Sequence, residues 1–153
     1  MAMGTDYVYT SGKVTLAAAA TKSLLLVKPA ATRGLRLIGV DISFDGSAAA
    51  AGVQVDLYRT TATTAPTGTA VTGQVMDEST ASPLSTGLGT ITVEPSLTVL
   101  ASWLVQPLGG LLPLQLPLGR EFGAKAGGQY IGVRVTTPSG VNPDVVVNMY
   151  VEE

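Results

Sequence analysis

Neither histidine nor cysteine occurs anywhere in the 153 residues. Without histidine the chain lacks the side chain that most often serves as a general base near neutral pH, and with it the commonest transition-metal ligand. Without cysteine it has no disulfide framework, no thiolate nucleophile and no zinc site built on sulfur. Charge is scarce as well: 13% of residues are Asp, Glu, Lys or Arg, about half of the usual ~25%. The nine basic residues stand singly along the chain, so no electrostatic footprint for nucleic acid is present and no such partner is expected. Aromatic residues are few, two Phe, five Tyr and one Trp. A continuous membrane span is missing too. Residues 102–119, SWLVQPLGGLLPLQLPLG, carry no charge, but Pro107, Pro113, Pro117 and the pair Gly109-Gly110 interrupt them; a span needs about 20 unbroken apolar residues, so no membrane partner is expected. The start, MAMGTDYVYTSGK, places Asp6 where a secretory signal carries basic residues, and no cleavable signal is expected.

What is present is alternation. In RGLRLIGVDISFDG, Ile38, Val40, Ile42 and Phe44 form one apolar face against Leu37, Gly39, Asp41 and Ser43, the period of a half-buried strand. Asp45-Gly46 then supplies turn chemistry, SAAAAG reads as a small-residue loop, and VQVDLYRT turns Val53, Val55 and Leu57 inward against Gln54, Asp56 and Tyr58. The two segments fit antiparallel strands around that loop. SLLLVKP suits a buried strand over residues 23–28, closed by Pro29. GTITVEP, TVLASWLV and LLPLQLPLG read as further strands. So do GQYIGVRVTTP, with Ile131, Val133 and Val135 on one face, and DVVVNMYVEE, with Val145, Val147, Met149 and Val151. Residues 60–85 are Thr-rich with little apolar period; they predict a projecting loop containing a short strand around 71–75. Eight or nine short strands with turn signals between them and no long helix predict an all-β fold, an antiparallel β-sandwich or a jelly-roll-like barrel of about eight strands. At this length it forms a single domain, residues 14–153.

Residues 1–13 read as an extended N-terminal arm. Lying on a neighbouring subunit, it would use Tyr7, Val8 and Tyr9 as amphipathic anchors; the plain alternative is an unstructured terminus. The charge-free segment predicts a hairpin in which residues 103–106 and 111–116 pair across Gly109-Gly110. Prolines inside such strands are tolerated at sheet edges, and an apolar edge on a free monomer invites association. Trp103, Leu111 and Pro113 therefore join Tyr7, Val8 and Tyr9 as candidate interface residues, with a strand buried within the sandwich as the alternative. So few charges on a small domain also favour self-assembly or docking on something larger.

No catalytic set emerges. Asp41 and Asp45 stand on a strand and its turn, without the cleft that paired glycosidase carboxyls need. Asp77, Glu78 and Ser79 could lend oxygens to calcium, but a site takes six to eight and no other ligands are evident. No GxSxG elbow occurs, and no histidine exists to activate a serine. The glycines of GQYIGVRV lack the strand, turn and helix of a phosphate cradle. The chain is read as a non-enzyme, with no cofactor, no metal and no catalytic residue expected.

From Lys22 onward the texture of the chain resembles that of small β-rich structural proteins of tailed bacteriophages, and within them the capsid decoration, or cement, proteins. The likeness rests on a strand ending in SFDG, the strand VQVDLYR, the GG turn, and PSGVNP leading into the last strand. The resemblance implies a virion protein on the capsid exterior, made in the host cytoplasm, that binds the major capsid protein lattice and stabilises it. It further implies a homo-oligomer, a trimer in preference to a dimer. The alternatives are a phage tail or fibre component presenting the Thr-rich loop and, from other classes, a carbohydrate-binding β-sandwich module or a carboxylate hydrolase.

Overall fold

The computed structural model describes residues 4–45, 51–62, 66–77 and 80–153. Alternating apolar side chains there produce two antiparallel sheets whose inward rows face each other, because only stacking buries a row that projects from one side of a sheet. The first sheet holds β1 (Asp6–Thr10), β2 (Val14–Thr15), β4 (Leu35–Asp45), β7 (Gln74–Val75), β10 (Leu111–Gln115), β11 (Phe122–Ala124) and β13 (Asp144–Glu152). Its order is β10-β4-β13-β1-β7, with β11 beside β4 and β2 beside β13. The second holds β3 (Thr21–Lys28), β5 (Val53–Thr60), β6 (Thr69–Val71), β8 (Thr86–Gly89), β9 (Leu97–Val105) and β12 (Ile131–Thr136), in the order β6-β8-β3-β12-β5-β9. No helix occurs among the described residues. Each sheet keeps its edge strands, so the fold is a sandwich and not a closed barrel.

The core between the sheets takes Val53, Val55 and Leu57 from β5, Ile131, Val133 and Val135 from β12, and Val145, Val147, Met149 and Val151 from β13, the rows that alternation predicts. In β4 the phase differs. Leu35 and Leu37 are buried, Ile38 is only half-buried, and burial resumes with Val40, Ile42 and Phe44. The register with β13 slips between Tyr150 and Val151, where Gly39 and Leu37 are the successive partners. Ile38 is the extra residue of a β-bulge, and a bulge reverses the face of everything beyond it.

Three expectations are corrected by the topology. The expected arm is not seen over its described part: β1, residues 6–10, is an interior strand between β13 and β7, and Tyr7 and Tyr9 lie in the chain's own core, while residues 1–3 lie outside those described. The Tyr9 hydroxyl shares a hydrogen bond with Ser85 Oγ at 2.7 Å. Burial pushes the Tyr9 phenol up to about 12. Strands β4 and β5 do not pair, because the chain between them passes from one sheet to the other; residues 46–50 of the small-residue loop lie outside those described. The segment after β8 is no strand. Residues 91–96 run as a strap over the outer face of the second sheet, where Ile91 packs with Leu26, Tyr58 and Tyr130 in a separate apolar cluster.

A β-bulge explains what pins the strap. The β3–β12 register slips between Val133 and Arg134, and Ser23 N–H turns to the strap, donating to Glu94 Oε1 at 2.7 Å. Ser23 Oγ donates to Glu94 Oε2 at 2.6 Å and accepts from the Tyr58 hydroxyl at 2.7 Å. Of the Thr-rich stretch, β6 and β7 fall in different sheets, and residues 63–65 and 78–79 lie outside those described. Its end is tied back by Glu153, whose carboxylate accepts the Leu84 and Ser85 amides at 3.0 and 2.9 Å.

A chain lacking residues 1–12 is expected to fail to fold, since it loses two buried tyrosines and the inner strand that joins β7 to β13. Phe/Trp-sized core truncations alone cost about 3–5 kcal/mol each. Circular dichroism melts check this; a cooperative transition within a few degrees of the full chain would restore the dispensable arm.

Candidate functional site

The 24 residues from 96 to 119 contain no charged side chain, and the fold lays them along one side of the sandwich. β9 is the edge of the second sheet and β10 the edge of the first, so this single segment supplies both borders of that side. The two strands do not form the predicted hairpin. Gly109 and Gly110 instead carry the chain across from one sheet to the other. Gly109 has φ +63, and a Cβ on Gly110 would sit 1.8 Å from the Gln106 carbonyl oxygen, so the tight crossing requires both glycines.

Local pattern decides what each strand shows to water. In β10, Leu112 and Leu114 face the core while Leu111, Pro113 and Gln115 are exposed. Phe44 N–H donates to the Gly110 carbonyl at 2.9 Å and Leu116 N–H to the Ile38 carbonyl at 3.0 Å. Even-numbered residues thus carry the ladder to β4, and by the antiparallel alternation Pro113 has its missing donor on the outer edge. In β9, Trp103 pairs with Val55 and packs on the core, half-buried, while Leu104 pairs with Gln54 on the outer face. Leu104 is 78% exposed, Leu108 68%, Leu111 63% and Leu118 93%, with Val99 at 43%. Isolated exposed leucines are ordinary; here Leu104 projects from the outer face of the second sheet and Leu111 from that of the first, on either side of the uncharged double edge.

Behind β9 lies the one carboxylate that is wholly buried among the described residues. The Asp56 side chain is 1% exposed and takes an ion pair from Arg134 Nη2 at 2.8 Å. Ser102 Oγ donates to its Oδ1 at 2.5 Å and Gln54 Nε2 to the same oxygen at 2.9 Å. Burial by itself would raise the Asp56 carboxyl, but the hydrogen bonds from Gln54, Ser102 and Arg134, with the Arg134 charge, bring it below the usual carboxylate range. These contacts fasten edge strand β9 through β5 to β12.

The predicted interface residues therefore separate into two groups. Leu111 and Pro113 are exposed on the wall, and Trp103 lies half-buried at its border. Tyr7 and Tyr9 are core, and Val8 is half-buried on the opposite face of the same strand; the structure does not bring the tyrosines and the wall together. Sequence reasoning missed Val99, Leu104, Leu108 and Leu118. Alternation within TVLASWLV could have found Leu104, since inward Trp103 and Val105 force it outward. Asp41 accepts the Tyr150 hydroxyl at 2.7 Å and Asp45 is exposed. Among the described residues no group of three or more Asp or Glu could hold a metal, Glu78 and Ser79 being outside them. No described helix is long and apolar enough to cross a membrane.

Comparison with protein-family models, with curated proteins and with solved structures finds no match to this chain.

Two outcomes follow from this geometry. Asp56→Asn should lower stability by about 2–3 kcal/mol, less than the ~3–5 of a wholly buried pair because part of Arg134 keeps contact with water. Asp56 is held below its unfolded value, so its contribution is full above about pH 4 and is lost as pH falls through the lower folded value. Urea titrations across pH 2–7 should show a steeper acid loss in the native chain than in the variant. Separately, Leu114→Asp should cost several kcal/mol while Leu111→Asp stays within about 0.5 kcal/mol; equal melting losses for both would mean that the wall is not exposed.

Proposed function

We propose that this chain is a non-enzymatic structural protein of a tailed-phage virion that decorates the capsid exterior, binding the major capsid protein lattice and stabilising it. The observation that carries the reading is the charge-free wall of β9 and β10, a ready surface for permanent burial on a larger assembly. The virion setting rests on the resemblance of the sequence to decoration proteins. Stabilisation on this reading is additive. Each copy buries its wall against capsid subunits, and a stable specific contact removes about 1,200–2,000 Å² from water. Interfaces of that kind need no catalytic group and no deep pocket.

The distribution of aromatics favours this reading over a carbohydrate-binding module, which would stack sugars on exposed rings. Tyr7, Tyr9, Tyr58, Tyr130 and Phe44 are buried, and Tyr150, Phe122 and Trp103 are half-buried. None is exposed as a platform.

Binding of the purified protein to heads of the cognate phage tests the proposal. Electron cryomicroscopy with and without the protein should show added density on the outer shell. Leu108→Asp and Leu111→Asp, which leave the core untouched, should each weaken binding at least tenfold without shifting the melting curve. Undiminished binding by both variants would remove the wall from the proposal, and absence of binding by the native chain would end it.

A further inference from the structure

The two edges of the wall are not equivalent toward an incoming strand. β10 is five residues long and its central residue is Pro113, whose missing donor faces outward, a feature that blocks strand addition. β9 is nine residues long, holds no proline and no charge, and has no further strand beside it among the described residues. Apart from the bulge at Leu100, where the register with β5 slips, its outer edge is a row of backbone donors and acceptors open to water or to another extended chain.

Which strand fits there follows from length and charge. The opposite edges of the sandwich are β6 with three residues and β7 with two, too short to match β9 in a head-to-tail arrangement. The segment of matching length and neutrality is β9 itself. Two copies related by a two-fold axis would pair it antiparallel, and because no charge lies between residues 96 and 119 the axis brings no like charges together. The area also suffices. Nine residues span about 30 Å and two packed layers with their side chains about 20 Å, so each copy would bury on the order of 600 Å², the lower end of a standard interface.

We propose that β9 pairs antiparallel with β9 of a second copy of this chain, joining the two six-stranded sheets edge to edge in a symmetric dimer. The inference rests on the wall being a covered surface and names its occupant: the same two-fold sets the β10 edges of the two copies opposite each other in the facing layer, leaving the outward side chain of Leu111 and the Leu108 turn for the other contact. It departs from the trimer that the resemblance implies. Trp103, the single tryptophan, lies half-buried near the middle of the paired region and reports on it directly.

Sedimentation velocity and Trp103 fluorescence across about 1–100 μM test the proposal on the full chain. The expected result is a monomer–dimer equilibrium in which dimer formation shifts the emission to shorter wavelength. Leu104→Lys and Val99→Lys, both at exposed positions, should yield folded monomers with red-shifted emission at every concentration. Since the chain has no cysteine, Leu104→Cys supplies a lone thiol for a short bifunctional cross-linker, which should give a dimer band; Ser139→Cys, on an exposed turn, should not. A native chain that stays monomeric throughout overturns the proposal, as does a trimer, or a dimer that both lysine variants leave intact. Parallel binding to phage heads keeps the two readings apart. Head binding by a strictly monomeric chain would preserve the decoration role and remove the dimer, and a β9-dependent dimer that ignores heads would do the reverse.

Discussion

Nine basic and eleven acidic side chains must serve 153 residues, and where they sit decides which surfaces of this sandwich can face water. The outer face of the first sheet receives Arg36, Asp41 and Asp144 along β4 and β13, with Arg36 and Lys13 paired to Glu152 and Asp144. The outer face of the second sheet is treated differently. One half is covered by the strap at Ile91 and Glu94, and the other holds Asp56 and Arg134 in a closed network. None stands within residues 96–119, which form β9, β10 and the crossing between them. The neutral wall and the buried network are thus two aspects of one distribution: a charge turned inward behind β9 fixes the strand in place while leaving its edge apolar.

Much of the fold was legible because side chains alternate strictly wherever a strand is regular. β5, β12 and β13 read correctly, including the inward rows at Val53, Ile131 and Val145. The failures cluster at bulges and sheet changes, which period-two patterns do not encode. The bulge at Ile38 reverses the phase of half of β4. At Gly109-Gly110 the same dipeptide that closes hairpins serves a crossing between layers, and only the identity of the partner strands distinguishes the two. TITVEP alternates well enough to suggest a strand, yet Ile91 finds its partners in an aromatic cluster and Glu94 finds the amide freed by a bulge on another strand. Tyr7 and Tyr9, two residues apart, carried a strand signal that the terminal position of the segment obscured.

The candidate surface was partly visible for the same reason. Absence of charge is a property of sequence, and residues 102–119 announced it; Leu111 and Pro113 then followed from alternation about Leu112 and Leu114. What could not be read was that β9 and β10 border the same side of two different sheets, since that depends on contacts between residues far apart in the chain. Leu104 and Leu108 become part of one surface only once the crossing is known.

The position of β13 has a consequence for how the molecule comes into being. Strands β1 and β4 flank it and do not touch each other across the first sheet, so neither gains its central neighbour until residues 144–152 have left the ribosome. At translation speeds of ~5–20 residues per second, the interval between the emergence of β1 and that of β13 is on the order of ten seconds. For much of that time the apolar segment 96–119 is outside the exit tunnel while both sheets still lack a central strand, β13 in the first and β12 in the second. The nascent chain therefore passes through a stage in which half of its eventual core is still awaiting a template, and a holdase that shields aliphatic stretches would find its substrate there.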